Sequence, residues 1–229
     1  MNTSWTHPIS IHIPENMKQY IIDYWLESSV SEHTSIASFN KHSLELISLG
    51  APSNLLIRCN QAAIDEIIHA VLCMSVVSSV SGKHLSDPVT NVANLLPSQP
   101  TPKEVMLSVI YDGCINETLA AYSAKVVAKC TKEPNIKKII EKIDMEEMTH
   151  ALLAFDTLDW IISKYPDLKE LCINTFESYL NKPHNFDTKF DTIVSIEQYG
   201  VITKQIKEKA YNIATKKLIL PRLHTIRNS

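Results

Sequence analysis

The sequence predicts an all-α fold: a four-helix bundle with a long crossover between its second and third helices, followed by extra helices at the C-terminus. Three observations predict it. Only 4 glycines occur in 229 residues, against an average near ~7%, so turn signals are sparse and helices run long. Pro14, Pro52, Pro102 and Pro134 each open a long stretch in which apolar residues recur at three- and four-residue steps, the period of a helix with one buried face. Residues 82–101 contain Gly82, Pro88, Pro97 and Pro100, too long and too broken for a tight turn, so they let the second and third helices run parallel.

The elements follow in order. Residues 1–13 read as extended, with Ile9, Ile11 and Ile13 alternating with polar residues. The first helical stretch runs from Pro14 to about Leu49 with Gly50 as its stop, and the weak helix formers Ser28-Ser29-Val30-Ser31 mark a seam that could divide it in two. The second runs from Pro52 to about Val80, with Leu55, Cys59, Ala62, Glu66, His69, Cys73, Val76 and Val80 on one face. The third starts at Pro102 and turns Met106, Gly113, Glu117, Ala121, Ala124 and Ala128 inward. The fourth spans Pro134 to Pro166, with Ile140, Ile143, Glu147, His150, Ala154 and Leu158 inward. A fifth helix covers about 167–180, and a last one runs from about Thr203 to Leu218, ahead of Pro221. The whole is expected to be one domain, 1–229, with a metal-binding bundle at 14–165 and a helical extension at 166–229.

Composition narrows the function classes. With 45% hydrophobic residues, a formal charge of -3 and a pI near 6.3, the chain has material for a sizeable core and gives no electrostatic reason to expect nucleic acid. The five cysteines (Cys59, Cys73, Cys114, Cys130, Cys172) include no C-x-x-C pair, which argues against a disulfide framework or structural zinc and for a reducing, cytoplasmic setting. The N-terminus lacks the basic start and apolar core of a signal peptide. No uninterrupted apolar run approaches the ~18 residues of a membrane span, so no membrane partner is expected.

The chemistry sits at Asp65-Glu66-Ile67-Ile68-His69 and Glu146-Glu147-Met148-Thr149-His150. Residues i and i+3 share a helix face about 5–6 Å apart at Cβ, so each Glu-x-x-His can offer a carboxylate and an imidazole to one cation. One such motif is commonplace. Here two occur, and the first and third helices each add one inward Glu, Glu32 and Glu117. That combination is the dinuclear metal pattern of helical bundles. Taken singly, each of the six would be an ordinary helix residue; jointly, four carboxylates in an apolar core cost several kcal/mol unless they are protonated or matched by cations. Glu32, Glu66, His69, Glu117, Glu147 and His150 are therefore the candidate ligands and catalytic centre, with Glu66 and Glu147 as bridges. Asp65 and Glu146 occupy matching positions one residue before each ligand Glu. Asp65 is expected to accept from His150, and Glu146 from His69, since metal-bound imidazoles donate their free N–H to carboxylates; solvent exposure is the competing role.

The stretches Ser31 to Phe39, Asp65 to His69, Asn116-Glu117-Thr118 and Glu146 to His150 together resemble the ferritin-like di-iron superfamily, over residues ~15–165. The resemblance implies two iron ions, with manganese as an alternative at either position, and reactivity toward O2 or peroxide. It implies a non-haem di-iron oxidase or oxygenase acting on a small organic substrate, or alternatively a ferroxidase, a rubrerythrin-like peroxidase or an iron-handling protein. Ala120 stands where rubrerythrins usually carry a further carboxylate, and the 166–229 extension is foreign to ferritin subunits; both point away from peroxide scavenging and storage.

A pocket around the metals would be lined by Ser35, Cys73, Gly113, Cys114 and Ala121. Gly113, one turn before Glu117, serves either an open pocket or a close helix–helix contact. The last 29 residues hold seven cations, Lys204, Lys207, Lys209, Lys216, Lys217, Arg222 and Arg227, against Glu208 alone. They read as a solvated face, with docking of an acidic electron donor such as ferredoxin as the sharper alternative. A homodimer is the assembly considered.

Overall fold

A computed structural model of the chain describes residues 5–83, 85–92 and 99–228, and it is all-helical, with no strand among the described residues. Pro97 of the expected crossover and the first four residues of the N-terminus lie outside the described residues. After a single 3-10 turn at Glu15–Met17, helix α1 spans Lys18–Ser48 without interruption. The seam at Ser28–Ser31 does not form. Ser28 Oγ donates to the Tyr24 carbonyl at 3.1 Å and Ser29 Oγ to the Leu26 carbonyl at 2.8 Å, so these hydroxyls are satisfied inside the helix. Packing of α1 along α2 outweighs the weak local propensity.

Gly50, at φ +68°, stops α1. Its N–H donates to the Ile47 carbonyl and that of Ala51 to the Leu46 carbonyl, both at 3.0 Å, the paired bonds of a left-handed helix stop. Helix α2 (Ser53–Ser81) then runs back along α1 and ends at Gly82, φ +66°. It is the one helix among the described residues long and apolar enough to cross a membrane, yet 61% of its most apolar window is buried within the chain. That burial accounts for its hydrophobicity.

Helix α3 opens on a reciprocal cap: the Thr101 hydroxyl accepts from the Glu104 N–H at 3.3 Å, and the Glu104 carboxylate accepts from the Thr101 N–H at 2.8 Å. It comprises Pro102–Ser108, a π-helical stretch Val109–Glu117, and Thr118–Ala128. Helix α4 (Pro134–Lys164) starts where the Glu133 carboxylate accepts from the Ile136 N–H at 2.7 Å. Helices α3 and α4 pack together, and α2 packs against α4.

The C-terminal part contributes α5 (Lys169–Leu180), a 3-10 turn at Ile196–Tyr199, and α6, built of Lys204–Ala214, a π-helical stretch Thr215–Ile219, and Leu220–Asn228. The last helix thus passes through Pro221 instead of ending before it. Pro221 is the second residue of the resumed α-helical turn, directly after the widened π stretch, where its missing N–H breaks little of the ladder. This part is not an appendage. Phe190, Ile196, Val201, Ile206 and Ala210 join Ile21, Trp25, Val76 and Ile140 in one buried cluster. Phe176, Ile219 and Leu223 join Met106, Phe155 and Leu158 in another, where the Phe155 and Phe176 rings stack at 6.3 Å. Between these two apolar masses lies the polar centre.

Candidate metal centre

Each of the first four helices brings acid to the same depth. Glu66 and His69 of α2 are 1% and 0% exposed, and Glu147 and His150 of α4 are 4% and 2% exposed. Glu32 enters from α1 and Glu117 from the end of the π-helical stretch of α3. His69 Nδ1 lies 3.4 Å from Glu32 Oε2, 3.7 Å from Glu66 Oε2 and 3.4 Å from Glu147 Oε1. His150 Nδ1 lies 3.2 Å from Glu66 Oε1, 3.7 Å from Glu117 Oε2 and 3.7 Å from Glu147 Oε2. Two ligand groups result, Glu32/Glu66/His69/Glu147 and Glu66/Glu117/Glu147/His150, the ligand atoms of each lying within 4.8 Å of one another. Glu66 and Glu147 belong to both.

The far edges of the rings are held across the α2–α4 seam. His69 Nε2 is 2.9 Å from Glu146 Oε2, and His150 Nε2 is 3.2 Å from Asp65 Oδ2. These crossed pairs require α2 and α4 to run in opposite senses. They also orient both Nδ1 atoms toward the carboxylates. Behind them, Gln61 donates to Asp65 at 2.9 Å and Lys142 donates to Glu146. Gln61 and Lys142 were not singled out in the sequence, although a signal is there: each sits four residues before its acid, at matching positions on the two helices. Phe39, also missed, sets its ring edge against His150 at a centroid distance of 5.0 Å.

Charge is concentrated without relief. Burial pushes the Glu32 carboxyl up to about 8, against the opposing pull of His69. Burial, and then the neighbouring Glu147, also push Glu117 well above the carboxylate range. Burial acts upward on Glu147 too, but the facing His150 and His69 imidazoles outweigh it and hold this carboxyl below its ordinary value. Burial would lower both imidazoles; the surrounding carboxylates, Glu147 and Glu32 for His69, Glu117 and Glu147 for His150, raise them instead, His150 to about 12.

A test of fit is whether polar atoms are left without partners. His69 Nδ1, His150 Nδ1, Glu66 Oε2 and Glu147 Oε2 are all buried with no hydrogen-bond partner. An unmade bond at such atoms costs about 1–3 kcal/mol each. A cation drawing on all of them removes that cost, so these buried Glu and His groups could hold a metal ion. No family model, curated protein or solved structure matches this chain. The centre is therefore read from its own geometry.

The expected pocket is partly redrawn. Gly113 does lie beside a 160 Å³ cavity that includes Glu117, His150, Phe39 and Leu153. Its lack of a Cβ, however, serves the close contact: a Cβ there would sit 2.4 Å from the Ala154 Cβ. Cys73 lines a second 160 Å³ cavity, next to Glu32 and Glu147. Cys114 lines neither; it packs with Phe155 and Leu158 in the apolar core, because the wider π-type turn alters the phase of α3 just before Glu117. Ser35, half-buried, and Ala121, fully buried, also line neither cavity. Of the seven C-terminal cations, Lys204 pairs with Asp187 at 2.7 Å, Arg222 with Asp159 at 3.3 Å and Asp156 at 3.4 Å, and Arg227 with Glu177. Part of that positive face is thus neutralised within the chain.

Proposed function

We propose that this chain is a ferritin-like four-helix-bundle protein holding two iron ions, and that it works as a non-haem oxidase or oxygenase on a small organic substrate. The observation that carries the reading is the sharing of Glu66 and Glu147 between two otherwise separate ligand groups, which suits two adjacent cations bridged by carboxylates. Iron bound in this way supplies the electrons for reducing O2.

The residues supply the rest. Four carboxylates offset the charge of two divalent ions, which would otherwise repel at close range. Asp65 and Glu146 hold the ring N–H of His150 and His69 and fix the tautomer that leaves Nδ1 free as ligand. Phe39 and Leu153 set apolar surface against His150 in a cavity whose outer lining is polar (Lys41, His42, Ser108 and Asp112). One cavity meets the Glu117–His150 half of the site and another the Glu32–Glu147 half, so substrate and O2 have separate approaches.

The test is metal analysis of the purified chain, then anaerobic reduction with iron(II) and admission of O2 while the visible spectrum and O2 uptake are recorded. Two irons per chain and O2 uptake abolished by Glu66→Ala are expected. A chain that binds no iron, or one whose O2 uptake survives Glu66→Ala, overturns the reading. If iron(II) oxidation accounts for all the O2 consumed and a many-subunit cage appears on sizing, iron itself is the substrate.

A further inference from the structure

Building on that metal reading, we propose that the cleft between α1, α3 and residues 186–207 binds an elongated substrate, with an apolar chain directed inward to Glu32 and an anionic head group at the rim. Two cavities meet along this line. The inner one is the 160 Å³ chamber beside Glu32 and Glu147; the outer one is a surface vestibule of about 520 Å³. Tyr24, Ser28, Ala120 and Ile202 line both, so the two adjoin at a waist formed by these four residues. Ala120 is exposed there. The Glu32 side chain keeps 18% exposure, against 1% for Glu66 and 5% for Glu147. Glu117, at 17%, is as open beside the other cavity, so this cleft is one of two approaches to the ligand group.

The two compartments differ in chemistry. Around Glu32 and Glu147, the inner walls are mainly apolar (Trp25, Cys73, Val127, Ile140 and Ile143), with Ser28 and Ser31 on the α1 side. A polar group there would lose its water and find few partners, whereas a hydrocarbon end is at home. By volume alone, a cavity of about 150 Å³ accepts a benzene-sized molecule, so the chamber has room for about six carbons. At the rim, Glu27 is paired with Lys189, and Asp187 with Lys204. Lys207 also lines the vestibule, and among the described residues no acid lies within ion-pair distance of it. One uncompensated cation at the mouth of an apolar channel selects an anionic head.

The probe is decanoate, titrated calorimetrically into the metal-loaded full chain, with decyltrimethylammonium as the opposite-charge control. Ala120→Phe fills the waist from an exposed position, and Lys207→Glu reverses the charge at the rim, outside the chamber that holds Glu32 and Glu147. Decanoate is expected to bind the parent chain, to lose at least tenfold in affinity with Ala120→Phe, and to lose a few-fold with Lys207→Glu, the size of an exposed ion pair. Metal content is measured in both variants, and decanoate affinities are compared at equal metal occupancy. No decanoate binding by metal-replete protein, undiminished binding by Ala120→Phe, or equally tight binding of decyltrimethylammonium overturns the proposal and leaves the metal reading intact. Protein that takes up no metal in the same preparation overturns the metal reading first.

Discussion

At the scale of single residues, the candidate ligands are oriented by groups outside the ligand set. Asp65 and Glu146 each hold one imidazole from behind, and each is in turn held by a residue four positions earlier, Gln61 or Lys142. Replacing such an outer partner typically lowers metal affinity ~10–100-fold. Asp65→Ala and Glu146→Ala are each expected to do so, measured by competition with a chromophoric chelator; unchanged affinity would mean that these acids merely face solvent. Protons supply a second handle. Glu32 has a carboxyl raised to about 8, so in the ion-free chain it is largely protonated at pH 7. Its charged form is the one a cation needs. Metal binding near pH 7 should therefore release protons, and affinity should climb as pH rises toward 8. Calorimetric enthalpies that vary with the ionisation heat of the buffer would show the release; enthalpies independent of buffer would refute it.

At the scale of elements, α3 is where local sequence and neighbouring structure disagree most. A glycine inside a helix loses about 1 kcal/mol relative to alanine, so Gly113→Ala ought to stabilise an isolated helix. Here the new Cβ would lie 2.4 Å from the Ala154 Cβ, and overpacking of this kind costs ~1–3 kcal/mol. The contact wins, and Gly113→Ala is expected to lower the denaturation midpoint; a rise would show that α3 and α4 can separate freely. The two Glu-x-x-His motifs were readable because they lie within single helices, where i to i+3 spacing alone places both side chains on one face. The placement of Phe39 against His150 could be read only once their helices had met. The continuity of α1 through Ser28–Ser31 and of α6 through Pro221 was decided by burial against other elements and by π-type turns, to which local propensity is blind.

At the scale of the whole molecule, residues 166–229 are structural partners of the helices that carry the candidate ligands. They supply Phe176, Ile196, Ile206 and Leu223 to the two apolar clusters that bracket the site, and Gly200 lets their backbone approach Trp25, Ile136 and Ile140 where no Cβ would fit. A chain cut after residue 165 would expose both clusters. It should lose cooperative thermal unfolding and bind a hydrophobic dye; a sharp, reversible transition in that fragment would show that the extension is dispensable.

The sequence by itself determined that the chain is helical and that acids and imidazoles recur at matched positions on apolar helix faces, because helical periodicity and i to i+3 spacing are properties of one segment at a time. That Glu66 and Glu147 belong to both ligand groups agrees with the bridging expected of them. Only the tertiary structure decided that Gly113 serves a contact with Ala154, that Cys114 faces the core, and that the C-terminal residues form one wall of the cleft leading to Glu32. Each of these depends on distances between segments far apart in the chain, which burial and packing set.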